Sequence, residues 1–556
     1  MKRGGQAAEV AVVAAAVAAW YGAVYLVVRP LADAPVLDSW IYSHAVRLFA
    51  ATGRMRFAGF TEAMPVAQVA YGAAWGRIFG PGEVSLDRSV ALLGALSAIL
   101  FYALLLRCGA RRAEAAIATG LLAANPCCLF LSFSFMTDVP FMVLIIGAML
   151  AFAKAERRSA NGWLWACGAA LVAAFMIRPF AAIAIAGCAG ATIIYDLWPF
   201  RLDRQWGKRA ALALAPFVSA TVACIAIWLR LMALQAEPWR LVRRTHLIGY
   251  FFKVGLATYL RAGVLGPLLY LGIALSPLAA VQLVQLPDAG LRRASAIAAA
   301  IFAATFILVH LDPIPPATPE LSCFGGWSNA LLLRGLPDRF EWRGLGQWIA
   351  TALGSLGAAG LIVAAPRALR RLNRAGAAMI ITAIGYWAGT IPLWLFNDRY
   401  YLVLVPAGAL ILALVPLRSR SPAAAVAIAL TAVMGLVSMA GVYDYQRGLA
   451  AVIAARDALE RAGVTRPEID AGYSPNGADL YRFADEGEDS LERESGIPMI
   501  TSGALDEYTI AAAPIAGTEI MRRFDWPGVC GFGRRDLYVL RRVDRPSTPG
   551  QSSPSK

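Results

Sequence analysis

Long apolar runs with almost no charge recur along most of this chain and constrain its fold more than any other feature. The first extends from Ala11 to Val28. The runs that follow have the roughly 18 to 24 residues that a helix needs to cross a bilayer. Lipid offers no hydrogen-bond partner to a bare backbone, so such runs must be helical. The sequence therefore predicts a polytopic α-helical membrane protein.

The composition agrees with this class, because 59% of the 556 residues are hydrophobic and only 16% are charged. Soluble domains carry about a quarter charged residues. We predict about thirteen transmembrane helices, with boundaries uncertain by a few residues. They cover about 9–29, 87–106, 113–131, 136–153, 162–177, 179–198, 210–233, 257–284, 294–311, 345–365, 376–396, 400–417 and 422–442.

The net charge of +15 comes from an excess of Lys and Arg. With the N-terminus inside, every short inside connection is basic, for example at Arg111–Arg112, Arg157–Arg158 and Arg292–Arg293. Cytoplasmic loops of membrane proteins carry such an excess, so the charge does not indicate a nucleic-acid partner. An odd number of spans then places the C-terminal end outside. We expect a multi-pass protein of the inner (plasma) membrane, in contact with membrane lipids.

The first outer loop, residues 30–86, is predicted to hold two interfacial helices. The apolar residues from Ser39 to about Thr52 fall near one face of a helix, which Gly53 ends. A second helix extends from Val66 to Phe79 and stops at Gly80. Helices of this kind lie in the membrane interface rather than cross it. This loop belongs to a transmembrane catalytic domain over residues 1–443.

The tail after Tyr443 differs in composition. A predicted amphipathic helix ends near Gly463, and short strand-like runs follow in "EIDAGY", "YTIAAA" and "LYVLRR". We predict a small extracytoplasmic α/β domain over residues 444–543 and a disordered tail over residues 544–556.

Asp38 lies a few residues beyond the end of the first span, in "DSWIYSH". It has two interpretations: the N-cap of the interfacial helix, or a catalytic carboxylate. Asp138, in "FMTDVP", likewise either caps a helix that starts at Pro140 or is functional. The predicted topology places both carboxylates on the outer side, where they could form an active-site pair.

Three short motifs resemble the GT-C glycosyltransferases that use polyprenyl-phosphate sugars. They are "LDSWIYSH" opening the first outer loop, the "FMTDVP" turn, and "RYYLVLVP" at the start of a late span. The chain looks most like the protein O-mannosyltransferase and aminoarabinose transferase group (glycosyltransferase family 39-like). The resemblance covers about residues 9 to 443. One departure is Ser39, where protein mannosyltransferases have a Glu; it counts against protein mannosylation and leaves the acceptor open.

The resemblance implies a sugar donor carried on polyprenyl phosphate and a lipid, glycan or protein acceptor. Asp38 would be the general base, and Asp138 would hold the acceptor or the donor sugar. The leaving phosphate needs cations. Arg399 matches the family's late-span motif, and Tyr400, Asp398 and His44 are further candidates for substrate binding.

Arg178, Arg243 and Arg244 are the other candidates for the phosphate, since all are predicted outside. Each cation also has a structural interpretation. Arg178 could reach the lipid headgroups, Arg399 could pair with Asp398, and the Arg243–Arg244 cluster could bind anionic lipids.

Metal and disulfide sites have little support in the sequence. The three histidines and eight cysteines show no metal-ligand spacing. A divalent cation bridging Asp and phosphate is compatible with the sequence, but no cofactor is required. Cys323 and Cys530 fall outside the predicted spans, and the sequence does not establish whether they pair.

Two other functions compete with the transferase. The chain could be a transporter or lipid-linked sugar flippase, since polytopic proteins with buried charges often are. It could also be a non-catalytic scaffold for glycan export. Against transport, the two halves show no convincing similarity, and the outer loops are long.

Overall fold

A computed structural model of the chain describes most of its residues. The described ranges are 3–30, 32–57, 65–155, 161–200, 203–234, 256, 259–311, 331, 333–334, 345–391, 398–417, 420–480, 507–528 and 533–543.

The described part of the chain is mostly helical, as the apolar runs predict. In chain order the helices of the membrane part are α1 Arg3–Val28, α2 Ser39–Thr52, α3 Val66–Phe79, α4 Glu83–Arg107, α5 Arg112–Ala124, α6 Pro126–Ser132, α7 Asp138–Lys154, α8 Asn161–Phe175, α9 Ala181–Asp196, α10 Arg204–Leu234, α11 Gly266–Val284, α12 Asp288–Leu311, α13 Leu345–Leu369, α14 Arg374–Thr390, α15 Val405–Ala413 and α16 Arg420–Arg461. A π-helical turn, Tyr259–Leu265, precedes α11, and a 3₁₀-helix, Asp398–Leu404, precedes α15.

Seven of the described helices are long and apolar enough to cross a membrane, or eight if α5 and α6 form one bent span. Helices α7, α8, α9 and α14 have only 15 to 17 residues. That is short of the roughly 20 needed for a full crossing. The multi-pass character is confirmed, whereas the count of thirteen spans stays a prediction.

Three details of the predicted helices differ from the structure. The run over 113–131 is not one straight helix, because α5 and α6 meet at Asn125 with a bend of 58°. The Asn125 side chain accepts a hydrogen bond from the Cys128 backbone and starts the second segment. Helix α7 begins at Asp138, not at Pro140. The predicted span over 422–442 and the predicted amphipathic helix after Tyr443 are not separate, because both lie in α16, one helix of 42 residues.

Glycines allow α11 and α13 to pack with their backbones in contact. A Cβ added at Gly272 would lie 1.8 Å from the Gly354 carbonyl oxygen, and one added at Gly357 would lie 1.9 Å from the Gly272 oxygen. Small residues at helix contacts are the common means of close packing in membranes. Both helices also contact α15, so this packing supports the base of the 3₁₀-helix that carries Arg399.

The two helices predicted within residues 30–86 are present, whereas their position outside the membrane stays a prediction. Helix α2 ends at Gly53 with φ 69°, and α3 ends at Gly80 with φ 89°. The loop is also tied to the bundle. Gln68 Nε2 donates to the Phe135 carbonyl at 2.9 Å, and the Ala67 amide donates to the Met176 carbonyl at 3.2 Å. Helix α3 thus rests against the turn before α7 and the turn before α9.

After α16 the described residues form a small sheet and an α-helix, α17 Tyr473–Leu480. The strands are β1 Ile469–Asp470, β2 Tyr508–Ala511, β3 Thr518–Gly528 and β4 Gly533–Arg542, in the order β1-β2-β4-β3. Strand β1 pairs parallel with β2, and the other pairs are antiparallel. We call residues 466–543 the C-terminal unit. Strand β3 is absent from the sequence prediction, which found the other three.

The predicted domain boundary after residue 443 falls inside α16, and the division into domains stays a prediction. The amphipathic segment that follows Tyr443 does end near Gly463, which has φ 90°. The predicted tail 544–556 and the Cys323 and Cys530 thiols lie outside the described residues.

Candidate active site

Asp38 lies at the turn that leads into α2, and its side chain does not cap that helix. Its Oδ2 accepts a hydrogen bond from Arg399 Nη2 at 2.8 Å, and its Oδ1 accepts one from the Tyr473 hydroxyl at 2.7 Å. The carboxylate is therefore held between the late-span 3₁₀-helix and the C-terminal unit. The cap interpretation of this side chain is wrong.

The backbone before Asp38 is strained and firmly held. Leu37 has φ 53°, a left-handed conformation that costs free energy in a residue with a Cβ. Ser39 is buried, and its Oγ accepts a hydrogen bond from the Val36 amide at 2.7 Å. The Leu37 carbonyl accepts another from Ser474 Oγ at 2.9 Å. Ser39 therefore shapes the turn that presents Asp38.

Asp138 and Arg178 form a second, buried charge pair. Arg178 Nη2 lies 2.9 Å from Asp138 Oδ1, and Arg178 Nε donates to Thr137 Oγ1 at 2.8 Å. The contact with Asp138 is an ion pair without hydrogen-bond geometry, since neither carboxylate oxygen accepts a hydrogen bond from the described residues. Arg178 faces the protein interior rather than the headgroups, so its snorkelling interpretation is wrong.

Tyr400 joins the two pairs. Its ring centroid lies 5.6 Å from the Arg178 guanidinium carbon and 5.5 Å from that of Arg399. These are cation–π distances. Two guanidinium groups are thus assembled on one aromatic side chain, with a carboxylate paired to each. Four of the predicted site residues that lie far apart in sequence meet at one place: Asp38, Asp138, Arg178 and Arg399.

Tyr42 completes the charged cluster and was not predicted from the sequence. It is buried on α2, and the charges of Asp38, Arg399, Arg178 and Asp138 all act on its hydroxyl. Burial is the main cause that raises the pKa of Tyr42, so the phenol stays protonated and can donate a hydrogen bond. Its position four residues after Asp38, on the same face of a helix, is the signal that could have found it.

The remaining predicted site residues are not tested by this geometry. His44 is half-buried on α2. It leaves the helix about 200° around the axis from Tyr42, on a different face. Arg243, Arg244 and the Asp398 side chain lie outside the described residues. Arg399 pairs with Asp38, which was not the partner considered for it. Among the described residues, no three His, Cys, Asp or Glu side chains gather as metal ligands would.

A polar cavity of about 310 Å³ opens between the first outer loop, α4, α16 and α17. Carboxylates and guanidinium groups line it as ion pairs, Arg47 with Glu83 at 2.8 Å and Arg456 with Asp479 at 2.7 Å. Pro475 on its wall lies two residues from Tyr473. Its charged lining residues are Asp33, Arg47, Glu83, Arg456 and Asp479.

A family model described as dolichyl-phosphate-mannose-protein mannosyltransferase matches residues 78–227. The chain is similar to a glycosyltransferase family. This match confirms the resemblance predicted from the sequence and the predicted enzyme class. The matched segment contains Asp138 and Arg178, whereas Asp38 and Arg399 lie outside it. No curated protein matches the chain.

Three solved structures are also similar. The S. cerevisiae protein O-mannosyltransferase Pmt1-Pmt2 complex bound to the sugar donor shares 20% identity at a TM-score of 0.34, over 41% of this chain and 33% of that chain. ArnT from Cupriavidus metallidurans bound to undecaprenyl phosphate shares 16% at a TM-score of 0.42, over 97% and 98%. The oligosaccharyltransferase AglB from Archaeoglobus fulgidus shares 15% at 0.40, over 80% and 56%. This chain thus spans only a third of the yeast chain, and all three TM-scores are low.

Proposed function

We propose that the protein transfers a sugar from a polyprenyl-phosphate donor to an acceptor hydroxyl on the extracytoplasmic side of the membrane. The observation that supports this most is the pairing of Asp38 with Arg399 beside Tyr400, Arg178 and Asp138. A carboxylate that can accept a proton and cations that can bind a phosphate stand a few ångströms apart. Transfer from a lipid phosphate needs both groups together.

In the proposed reaction the acceptor oxygen forms a bond to the anomeric carbon of the sugar. The bond from that carbon to the phosphate oxygen breaks, and the phosphate leaves with the electron pair. The acceptor's hydroxyl proton passes to Asp38. Each carboxylate oxygen has two lone pairs, so Asp38 can accept this proton while it remains hydrogen-bonded to Arg399 and Tyr473.

Arg399 and Arg178 would stabilise the charge that develops on the leaving phosphate. A guanidinium group carries five N–H donors in a planar fork and can serve a carboxylate and a phosphate at once. Asp138, whose oxygens accept no hydrogen bond from the described residues, would accept hydrogen bonds from sugar or acceptor hydroxyls. The Arg243 and Arg244 side chains, with Asp398 and His44, stay candidates for the same site.

The acceptor would approach through the polar cavity beside the C-terminal unit. A lining of carboxylates and guanidinium groups suits a polyhydroxylated ligand, because such groups accept hydrogen bonds from its hydroxyls and donate to them. A lipid, a glycan and a protein side chain all fit this chemistry. The C-terminal unit would then help to position the acceptor.

The test is mass spectrometry of envelope lipids and glycans from a strain that lacks the protein. We expect a hexose, pentose or aminopentose to be missing from an acceptor, and wild-type protein to restore it. Asp38→Asn should fail to restore it while inserting normally. The matched control is Asp457→Asn, because the Asp457 carboxylate is partly exposed and paired with Arg456 at 2.8 Å, and such pairs contribute little.

A transporter, flippase or scaffold would give a different pattern. Asp38→Asn would then restore the glycan as well as Asp457→Asn does. Sugar transfer that persists at the wild-type level in Asp38→Asn would remove Asp38 as the base.

A further inference from the structure

The C-terminal unit contributes a side chain to the proposed active site. Tyr473, the first residue of α17, donates its hydroxyl to Asp38 Oδ1 at 2.7 Å across a separation of 435 residues. Arg399 Nη2 donates a hydrogen bond to the other carboxylate oxygen, Asp38 Oδ2, at 2.8 Å. Each oxygen of Asp38 thus has its own donor, and the two donors come from different parts of the molecule.

Helix α17 is seated on the start of α2 by three further contacts. Ser474 Oγ donates to the Leu37 carbonyl, and the rings of Trp40 and Tyr473 meet edge-to-face at 6.1 Å. Gly477 lies so close that an added Cβ would stand 2.3 Å from Trp40 Cε2. These contacts surround Asp38 on both sides of its turn, so the position of the Tyr473 hydroxyl is set by packing.

The turn that presents Tyr473 is itself rigid. Asp470 Oδ1 accepts from the Gly472 amide at 3.0 Å and from Asn476 Nδ2 at 2.8 Å. Gly472 has φ 84°, which favours glycine. Asp479, later in the same helix, accepts from Arg456 on α16 and from Arg466, both at 2.7 Å. Tyr473 is therefore anchored to the sheet and to the long helix as well as to α2.

We propose that Tyr473 is a positioning residue for Asp38, and that the C-terminal unit is required for turnover as well as for acceptor binding. This inference rests on the proposed function. Asp38 follows a strained Leu37 and makes no capping hydrogen bond, so its rotamer depends on Arg399 and Tyr473. Arg399 would divide its N–H donors between Asp38 and the phosphate, whereas the Tyr473 hydroxyl donates to Asp38 and holds the carboxylate towards the acceptor. A misplacement of about 1 Å can cost 10²-fold in rate.

The test compares Tyr473→Phe with Tyr538→Phe in the full-length protein, using sugar transfer measured at varied donor and acceptor concentrations. Phe keeps the ring contact with Trp40 and removes only the hydroxyl. Tyr538 is the matched control, because it lies in the same unit and its hydroxyl also bonds a carboxylate, Asp536, at 3.2 Å.

For Tyr473→Phe we expect kcat to fall about tenfold or more, the size of a lost hydrogen bond to a charged group. Donor and acceptor KM should change less than about twofold, and Tyr538→Phe should match the wild type. A purely structural role would instead lower the melting temperature or the folded fraction and leave kcat per folded molecule unchanged.

Asp38→Asn separates the two proposals. If it abolishes transfer while Tyr473→Phe retains the wild-type kcat, the positioning role is wrong and the proposed base stands. If Asp38→Asn keeps wild-type transfer, Asp38 is not the base, and the proposed function is wrong whatever Tyr473→Phe does. A rise in KM alone for Tyr473→Phe would place the tyrosine in acceptor binding and overturn the inference.

Discussion

The buried pair of Asp138 and Arg178 leads to a prediction about stability. Both side chains are almost fully removed from solvent. Removing one member of a buried pair leaves an uncompensated charge, which costs about 3–5 kcal/mol. We expect Asp138→Asn and Arg178→Gln each to lower the thermal midpoint strongly. The double variant should be less destabilised than the sum of the two, and it should not recover transfer. Melting curves of the four proteins check this; additive effects would contradict it.

Arg399 is a proposed ligand of the lipid phosphate. We expect Arg399→Met to weaken the binding of polyprenyl phosphate about tenfold or more, since hydrogen bonds to charged groups contribute roughly 1.5–3 kcal/mol. Arg370→Met is the control, because Arg370 is exposed near the end of α13. Titration of the purified protein with the lipid measures both. Equal affinities of Arg399→Met and Arg370→Met for the lipid would show that its phosphate does not bind at Arg399.

The contact between α2 and α17 is the element that joins the C-terminal unit to the site. In Gly477→Ala the new methyl group meets the rigid Trp40 ring, so α17 must move away from Asp38. We expect transfer to fall at least as far as in Tyr473→Phe, with faster proteolysis of the C-terminal unit. Gly22→Ala is the matched helical control, since a Cβ there has open space around it. Unchanged activity in Gly477→Ala would show that sugar transfer does not need the close contact between α17 and α2.

The elements differ in how far the sequence could predict them. Helices α2 and α3 were predicted to the residue, because Gly53 and Gly80 end them by local backbone preference. Helix α16 was divided in two at a change of composition, yet no proline interrupts it between Pro422 and Pro467. Short sequence motifs identified Asp38 and Arg399 as candidate site residues. The sequence could not place Tyr473, because the approach of α17 to α2 depends on tertiary packing.

Helix α16 sets the overall arrangement of the molecule. Its 42 residues extend about 60 Å, roughly twice the bilayer core, so it can cross the membrane and still carry the C-terminal unit. The basic connections predict that this unit lies outside. We expect an alkaline phosphatase fused to the C-terminus to be active and a fluorescent protein fused there to be dark in the same host. The opposite pair of results would reverse the orientation.

Release of free polyprenyl phosphate by the detergent-solubilised protein is the most direct measurement of the proposed chemistry. The donor is the lipid-linked sugar extracted from the strain that lacks the protein, and the acceptor is that strain's envelope fraction. No membrane separates two sides in detergent, so a flippase has no turnover there. We expect the wild type and Asp457→Asn to release polyprenyl phosphate and to glycosylate the acceptor, and Asp38→Asn to do neither. No release by any of the three proteins, or equal release by all three, would contradict a transferase that works through Asp38.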